Sequence, residues 1–312
     1  MPDADEKDET VERGEFTASS HMSVTNFFTA HGLDLLSQML AAGGRNGSAI
    51  AAEAAALTAS IRERMWNGTA FCDGICSEVG GNSRVMSNIF SLAFGLVPPA
   101  NVDAVWGGVA AWGLEQIGDY GAFWYQMALA SSYYAPHYDT PDDGTAIVTA
   151  LTKCDYYSWC SGLAQDNLTM TRESWHSGTY SHGWGTSALV GVSWGVLGVH
   201  NTAPGWAQFT VMPKLGPLKF AVGQVPSLRG FVTVNATAGW GVEVGVPCGA
   251  AATLCTPRSA ADGARRLTTA DFALALDGAE VRAVERAGHL CTAQPVGCGA
   301  AGAPRQLRAQ RR

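Results

Sequence analysis

One short segment, residues 168–185, concentrates the side chains that could do chemistry. Its eighteen residues are L-T-M-T-R-E-S-W-H-S-G-T-Y-S-H-G-W-G. They include one carboxylate, Glu173, together with two histidines, two tryptophans and a tyrosine. Glycoside hydrolysis uses this mixture, because a carboxylate activates water, aromatic faces stack on sugar rings and polar groups fix the hydroxyls. The segment therefore predicts a sugar-processing site in which the Glu173 carboxylate could activate water.

The aromatic and imidazole side chains around Glu173 have predicted roles of their own. The spacing predicts a helix from about His182 to Leu197 with Ser181 as its N-cap, which places His182 in the first turn. The helix dipole disfavours imidazolium there, so a neutral His182 could orient a hydroxyl or the attacking water. Trp175 and Trp184 are candidate stacking surfaces. Taken one at a time, these residues fit a loop carboxylate and core tryptophans better; their density favours a site.

Two kinds of apolar periodicity divide the chain. From about Val24 to Gly198 the spacing is helical and predicts about seven helices joined by irregular loops. One predicted apolar face comprises Phe28, Leu35, Leu36, Met39 and Leu40. After Gly198 the period changes to two, in short runs separated by proline and glycine turns, which indicates an antiparallel β-sandwich.

These patterns predict four regions. Residues 1–21 are acidic and aperiodic and are expected to be disordered. Residues 22–200 form the helical domain, and residues 201–300 form the sandwich. Residues 301–312 are basic and are expected to be a solvated, disordered tail.

Composition excludes several classes of partner. The 312 residues are 47% hydrophobic and 15% charged, with a net charge of -7, which argues against a nucleic-acid partner. No run of eighteen apolar residues occurs, so we expect no transmembrane helix and no membrane partner. The cysteine and histidine spacings do not match zinc sites, and we expect neither a metal nor a cofactor.

The eight cysteines form four near pairs, which we expect to be local disulfides. They are Cys72 with Cys76, Cys154 with Cys160, Cys248 with Cys255, and Cys291 with Cys298. Four N-x-S/T sequons begin at Asn46, Asn67, Asn167 and Asn235. Together they predict a secreted glycoprotein. The chain does not begin with a signal-peptide pattern, so we expect that its true N-terminus lies upstream.

The same residues carry a resemblance to a known family. A Glu, a Trp two positions later and a Ser-His pair at a helix start resemble the motif of α-L-rhamnosidases of glycoside hydrolase family 78. Here those positions are Glu173, Trp175, Ser181 and His182, followed by Trp184. The stretch 196–234, with its Leu-Gly turn, Pro-Gly pair and G-x-V-P element, is similar to the family's domain junction. A weaker similarity lies in Ser87 to Pro98, and the whole resemblance covers about Met22 to Pro257.

The resemblance implies a fold and a reaction. The fold would be a partial (α/α)6 six-hairpin toroid followed by a small antiparallel β-sandwich. The reaction would be inverting hydrolysis of terminal α-L-rhamnosides, so the expected partner is a rhamnose-containing glycoside or polysaccharide. Glu173 would be the general base and His182 a sugar or water contact. The family's acidic motif, which holds the general acid, does not occur here, and we expect it in a missing N-terminal part.

Other side chains are weaker candidates for binding the sugar. Asp73 lies in a loop after a predicted helix, a position where toroid enzymes often place sugar-binding groups. Asp119 precedes an aromatic cluster that includes Trp124, and both are candidate substrate-binding residues. None of these acids can be assigned as the general acid from the sequence.

Three alternatives remain beside the rhamnosidase hypothesis. The first is a non-catalytic carbohydrate-binding remnant that kept the base and the sandwich. The second is another toroid enzyme, such as a fucosidase-like hydrolase or a polysaccharide lyase; a lyase would use Tyr180 or His182 as base but needs more basic side chains. A purely structural secreted domain leaves the cluster of acid and aromatic residues unexplained.

Overall fold

The computed structural model describes residues 21–81, 83–130, 144–164, 167–175, 178–238, 241–255, 272–286, 289–297 and 305–311. These residues form two compact units. The first comprises residues 21–130 with 154–187, and the second comprises residues 144–153 with those from 188 onward. The predicted acidic tail, apart from His21, lies outside the described residues.

The helices follow the predicted helical region. They are α1 (Ser23–Ala42), α2 (Ser48–Arg64), α3 (Val85–Ala93), α4 (Val102–Trp112), α5 (Asp119–Ala130), α6 (Thr145–Thr152), α7 (Trp159–Ala164) and α8 (Ala188–Val190). A π-helical turn, Gly191–Val196, continues α8, and 3₁₀ turns occur at Pro99–Asn101, Leu114–Gln116, Trp184–Thr186 and Pro204–Trp206. In the described part of the chain, none of these helices combines the length and apolarity that crossing a membrane requires.

The first unit is helical and contains the hairpin formed by α1 and α2. Phe27 and Ala30 of α1 are 0% and 2% exposed, and Ile61 of α2 is 1% exposed. The two helices are joined by a glycine-rich turn. A Cβ atom at Gly47 would lie 2.5 Å from the carbonyl oxygen of Ser37. Only glycine therefore lets this turn approach α1 so closely.

The predicted first helix is confirmed as α1, but most of the apolar side chains that marked it are exposed. Leu35, Leu36 and Met39 are 41%, 43% and 71% exposed, whereas the neighbouring face of the helix is buried. Phe28 is also exposed at 41%, although its ring contacts Phe90 and other aromatic side chains. The periodicity located the helix correctly, and its buried residues are Ser23, Phe27, Ala30 and Ser37.

The second unit contains twelve described strands in three sheets. They are β1 (Val199–Asn201), β2 (Gln208–Val211), β3 (Phe220–Ser227), β4 (Gly230–Thr237), β5 (Gly241–Val246), β6 (Ala251–Leu254), β7 (Phe272–Leu276), β8 (Ala279–Glu280), β9 (Ala283–Arg286), β10 (His289–Thr292), β11 (Val296–Gly297) and β12 (Arg305–Arg311). The sheet orders are β1-β2-β6-β11, β3-β4-β5-β12-β7-β8 and β10-β9. Every pair is antiparallel except β2 with β6, which is parallel.

One hydrophobic core lies between the two larger sheets. Alternate residues of the strands bury their side chains in it, as Val232, Val234 and Ala236 of β4 do against Phe209 and Leu254. The period-two runs of the sequence therefore correspond to half-buried strands, as predicted. The predicted fold class, a partial six-hairpin toroid followed by a small β-sandwich, is confirmed.

The prediction of a disordered basic C-terminal tail is wrong. Residues 305–311 were expected to be disordered, but they form β12 between β5 and β7. Leu307 and Ala309 are 0% and 2% exposed in the core, while Arg308 points outward and pairs with Glu243 at 2.7 Å. Leu307 and Ala309 alternate with the polar residues Gln306, Arg308 and Gln310, and this alternation decides the structure more than the charge does.

Two of the four predicted disulfides are confirmed and two pairings are wrong. Cys72 is bonded to Cys76, and Cys154 is bonded to Cys160. Cys255 is bonded to Cys291, which leaves neither available for its predicted local partner. These two cysteines meet because they form an antiparallel bridge next to β6 and β10. Cys298 lies outside the described residues.

The Cys255–Cys291 bond should contribute more stability than either local bond. It closes a loop of 36 residues in sequence separation, against 4 for Cys72–Cys76. In the chain-entropy model these loops contribute about 4 and about 2 kcal/mol. Replacing both Cys255 and Cys291 by Ser should therefore lower the free energy of unfolding about twice as much as the matching Cys72 and Cys76 double variant, measured by denaturant titration. Recovery of a Cys248–Cys255 peptide in non-reducing mass mapping would contradict the pairing.

A buried histidine makes the second unit sensitive to acid. His200 of β1 is 6% exposed, and its ring lies 5.9 Å from that of Trp194. Burial lowers the pKa of His200 to about 4, with the charge of Lys214 acting in the same direction and a backbone hydrogen bond at Trp194 opposing it. The imidazole is therefore neutral in the folded protein at neutral pH.

The free energy of unfolding should fall as the pH drops from about 6.5 towards 4. The unfolded chain binds a proton at the ordinary pKa of 6.5, whereas the folded chain binds it only near 4. The protonation of His200 should therefore lower the free energy of unfolding by about 3 kcal/mol between pH 6.5 and 4. Below pH 4 this group should cause no further change. Denaturant titrations at several pH values should show a shallower dependence in His200→Phe. The control His21→Gln, at an exposed histidine, should keep the wild-type dependence.

Candidate functional site

A tight hairpin in the first unit carries Glu173. The backbone N–H of Glu173 donates to the carbonyl oxygen of Thr179 at 3.0 Å, and the N–H of Ser181 donates to that of Thr171 at 2.7 Å. Between these bonds, Arg172 and Tyr180 pair as an antiparallel bridge. Residues 176–177, His176 among them, lie outside the described residues. The loop predicted from the sequence is thus held by ladder-type hydrogen bonds.

The Glu173 carboxylate is fixed by one residue of the returning strand. The backbone N–H and the hydroxyl of Thr179 donate to its Oε2 atom at 3.0 and 3.1 Å. The side chain is 43% exposed, so water can reach it. A carboxylate that is oriented by hydrogen bonds and still solvated is suited to accept a proton from a bound water molecule.

Two backbone positions permit this arrangement. Gly178 has a φ of +79°, and a Cβ atom there would lie 2.6 Å from the Cβ of Glu173. Ser181 has a φ of +63°, in the left-handed region that non-glycine residues rarely adopt. Backbone strain of this kind is concentrated at functional sites in proteins. The hairpin therefore stores local strain beside the carboxylate.

His182 and Trp184 lie next to Glu173, as the sequence predicted. The Nε2 atom of His182 is 3.7 Å from Oε2 of Glu173, which is beyond direct hydrogen-bond distance but suits a bridging water. The rings of His182 and Trp184 are 4.1 Å apart, and the indole N–H of Trp184 donates to the carbonyl oxygen of Glu173 at 2.7 Å. Tyr120 of α5 packs edge-on against Trp184 at 5.2 Å and is 50% exposed.

The predicted capping role of Ser181 is wrong. The Ser181 hydroxyl contacts the sulfur of Met170 at 3.5 Å and does not cap a helix. Helical structure begins after Gly183 as a 3₁₀ turn without a side-chain cap. His182 therefore precedes the helical turn, and its position depends on the Thr171 hydroxyl, which donates to its carbonyl oxygen at 2.6 Å.

A cavity of about 220 Å³ adjoins the hairpin. Its lining includes Arg172 and Ser174, on either side of Glu173 in the chain, but the Glu173 side chain itself does not line it. Asp119 and Trp175 also line it and are only 4% and 5% exposed. The indole N–H of Trp175 donates to the carbonyl oxygen of Ile117 at 2.9 Å, which fixes its ring. Trp175 is thus part of a buried wall and offers no open stacking face.

Two other predicted binding residues have structural contacts elsewhere. Asp73 accepts hydrogen bonds from the Ser87 hydroxyl at 2.7 Å and the Arg84 N–H at 3.1 Å, and its other oxygen is 3.2 Å from Arg84 Nε. Burial raises the pKa of Asp73, and the two hydrogen bonds oppose this shift. These contacts hold the start of α3. We therefore remove Asp73 from the candidate sugar-binding residues.

Trp124 belongs to an aromatic cluster. Its ring lies 5.2 to 5.3 Å from those of Phe28, Phe90 and Phe94. These contacts connect α1, α3 and α5 and make Trp124 a packing residue. Among the described residues, no group of three or more His, Cys, Asp or Glu side chains is placed to hold a metal ion.

The sequence missed two residues of the site. Tyr120 is the neighbour of Asp119, but its contact with Trp184 joins segments more than sixty positions apart. Thr179 gave no signal, because its role requires the hairpin to turn back between Glu173 and Ser181. An N-H and a hydroxyl six residues after a carboxylate are too common a pattern to identify such a contact.

Replacing Gly178 by Ala should disrupt the hairpin. The new Cβ atom would force the Glu173 backbone away and would require an unfavourable φ, so the free energy of unfolding should fall by at least about 1 kcal/mol. Gly183→Ala is the matched control, since Gly183 has an α-helical conformation and nothing within 4 Å of an added Cβ. Denaturant titration of both variants tests the effect; equal stabilities would contradict the close approach.

A family model and solved structures relate this chain to α-L-rhamnosidases. Residues 198–270 match the family model of the bacterial α-L-rhamnosidase C-terminal domain. A search of curated proteins gives no match. The resemblance to α-L-rhamnosidases that the sequence predicted is confirmed, by the family model over this segment and by the fold over most of the chain.

Solved α-L-rhamnosidases share the fold. The enzyme from Dictyoglumus thermophilum superimposes with a TM-score of 0.68 and 16% identity, over 91% of this chain and 31% of that one. The Streptomyces avermitilis enzyme, solved with L-rhamnose, superimposes with a TM-score of 0.62 and 18% identity. The match covers 91% of this chain and 26% of that one. The Aspergillus terreus enzyme superimposes with a TM-score of 0.55 and 18% identity, over 73% of this chain and 27% of that one. This chain therefore spans about a third or less of the length of these enzymes.

Proposed function

We propose that this chain is the base-carrying part of an α-L-rhamnosidase. In this proposal it takes part in the hydrolysis of terminal α-L-rhamnosides with inversion, and Glu173 is the general base. The similarity to rhamnosidases supports the substrate class, and the surroundings of Glu173 support the role of this residue.

The observation that carries the proposal is the meeting of a carboxylate, an imidazole and two aromatic rings. Glu173 lies 3.7 Å from His182. The His182 ring lies 4.1 Å from that of Trp184, and Trp184 in turn contacts Tyr120. Glu173 and Tyr120 are both substantially exposed. A water held between the carboxylate and the imidazole would have one partner that accepts its proton and one that orients it.

The chemical step assigned to Glu173 is one half of an inverting hydrolysis. Glu173 removes a proton from water while the water oxygen bonds to the anomeric carbon. The bond from that carbon to the aglycone oxygen breaks, and the oxygen must be protonated by a second carboxyl group about 6.5 to 9.5 Å from the first. Because the sequence identifies no general acid in this chain, the proposal assigns only the base role.

The sugar would contact the aromatic pair and the neighbouring cavity. L-Rhamnose carries a methyl group where the parent hexose has a hydroxymethyl group, so one edge of the ring is apolar and suits Trp184 or Tyr120. Asp119, which is buried at the cavity, is proposed to hydrogen-bond a sugar hydroxyl. Trp175 would shape the cavity wall behind it. The solved Streptomyces enzyme binds L-rhamnose, which supports this substrate class.

We further propose that the chain is secreted. Three disulfides occur among the described residues, and such bonds persist in oxidising compartments. A secreted chain would meet rhamnose-containing polysaccharides and other exported glycosides as substrates.

An activated substrate tests the base role directly. A dinitrophenyl α-L-rhamnoside has a leaving group that departs without protonation, so its hydrolysis needs the base but not the acid. We expect this chain to hydrolyse it, and Glu173→Gln to reduce the rate by a factor of about 10² to 10⁴. Glu53→Gln, at an exposed helix carboxylate, is the matched control and should keep the wild-type rate.

Azide separates a chemical role from a structural one. A small anion that replaces the missing carboxylate should restore turnover of Glu173→Ala and give a rhamnosyl azide of inverted configuration. Turnover in Glu173→Gln at the wild-type rate would refute the base assignment. Binding of L-rhamnose by calorimetry without any turnover of the activated substrate would instead favour the carbohydrate-binding remnant.

A further inference from the structure

The outer face of the β3–β4 hairpin exposes an unusual amount of apolar surface. Phe220 and Val222 of β3 are 65% and 67% exposed, and Phe231 of β4 is 61% exposed. Their strand neighbours Val225, Val232 and Val234 face the opposite side and are buried. Exposed apolar patches of this kind mark binding surfaces or aggregation hazards. β3 is also the edge strand of its sheet, where pairing with another chain is easiest.

A glycosylation sequon lies on the same face. Asn235 and Thr237 of the N-A-T sequon are both exposed, while Ala236 between them is buried at 0%. In the strand register, Asn235 is directly opposite Val222, and Thr237 is directly opposite Phe220. Side chains directly opposite each other have Cβ atoms about 4.5 to 5.5 Å apart, and diagonal neighbours are within reach of larger groups.

We propose that Asn235 carries an N-linked glycan whose first sugars cover Phe220 and Val222. Both the acceptor amide and the sequon hydroxyl are accessible without unfolding the sheet. The apolar face of a pyranose ring can pack on a phenyl ring, and the outer sugars keep the edge of β3 hydrated. The glycan would thereby replace the charged or short edge strands with which other proteins prevent edge-to-edge pairing.

The reaction uses a polyprenyl-pyrophosphate-linked oligosaccharide as donor. The carboxamide nitrogen of Asn235 forms a bond to C1 of the first N-acetylglucosamine, and the bond from C1 to the pyrophosphate oxygen breaks. The polyprenyl pyrophosphate leaves, and the amide proton passes to a base of the transferase. No redox change occurs. The donor belongs to the secretory pathway, where the disulfides of this chain would also form.

The two strands beside β4 offer different surfaces to the glycan. On the β5 side, Asn235 pairs with Glu243, which is engaged by Arg308 at 2.7 Å. This side therefore presents a charged pair, whereas the β3 side presents the apolar side chains of Val222 and Phe220. The glycan is therefore directed towards β3, over Val222 and Phe220.

Secretion of the full chain from a eukaryotic host, followed by peptide mapping, tests the modification. The peptide that contains Asn235 should carry a glycan that peptide N-glycosidase removes, leaving aspartate. Thr237→Val should lose this glycan, whereas Thr237→Ser should keep it because it preserves the sequon. An unmodified Asn235 peptide in the secreted wild-type chain would overturn the proposal.

Hydrophobic dye binding and light scattering test the covering role. Loss of the glycan in Asn235→Gln should raise both signals, with circular dichroism confirming an intact fold. Adding Phe220→Thr and Val222→Thr to that variant should return both signals to the glycosylated level. Unchanged dye binding in Asn235→Gln would show that the glycan does not cover this face. Neither experiment depends on hydrolytic activity, so either result is independent of the proposed function.

Discussion

Glu173 and Thr179 exchange hydrogen bonds across a turn that leaves no room for a side chain at Gly178. The backbone bond aligns the two strands of the hairpin, and the Thr179 hydroxyl and N–H then fix the carboxylate. The same alignment brings Trp184 within reach of the Glu173 carbonyl. A short network of local hydrogen bonds thus positions the chemically important groups, and the helices of the first unit support this hairpin.

Local features could be predicted from the sequence, because they depend on residues that are close in the chain. Glu173, His182 and Trp184 fall within twelve positions, so a single hairpin brings them together. The half-buried strands follow from the alternation of apolar and polar residues. Two disulfides join cysteines only four and six positions apart, so their spacing in the sequence was enough to predict the pairing. In each case the interacting residues are close together in the chain, so the sequence pattern contains both partners.

Features that depend on distant partners could not be predicted in this way. Cys255 meets Cys291 only because the sheets place their segments side by side. Asp73 has a structural role because Arg84 and Ser87, at the start of a helix, approach its carboxylate. Most of the apolar side chains that marked α1 are exposed, and its buried residues include Ser23 and Ser37, which give weak hydropathy signals. The sequence pattern records which residues are apolar, but not which neighbours reach them.

The place of β12 in its sheet has a consequence for biosynthesis. The ribosome releases this strand after all the other described strands, yet it lies between β5 and β7 and contacts both. Until it emerges, the β3–β5 meander and the β7–β8 pair have no common neighbour, and the edges of both remain open. The sheet must therefore be completed after translation has passed residue 311, and until then the edges of β5 and β7 are open to pairing with another chain.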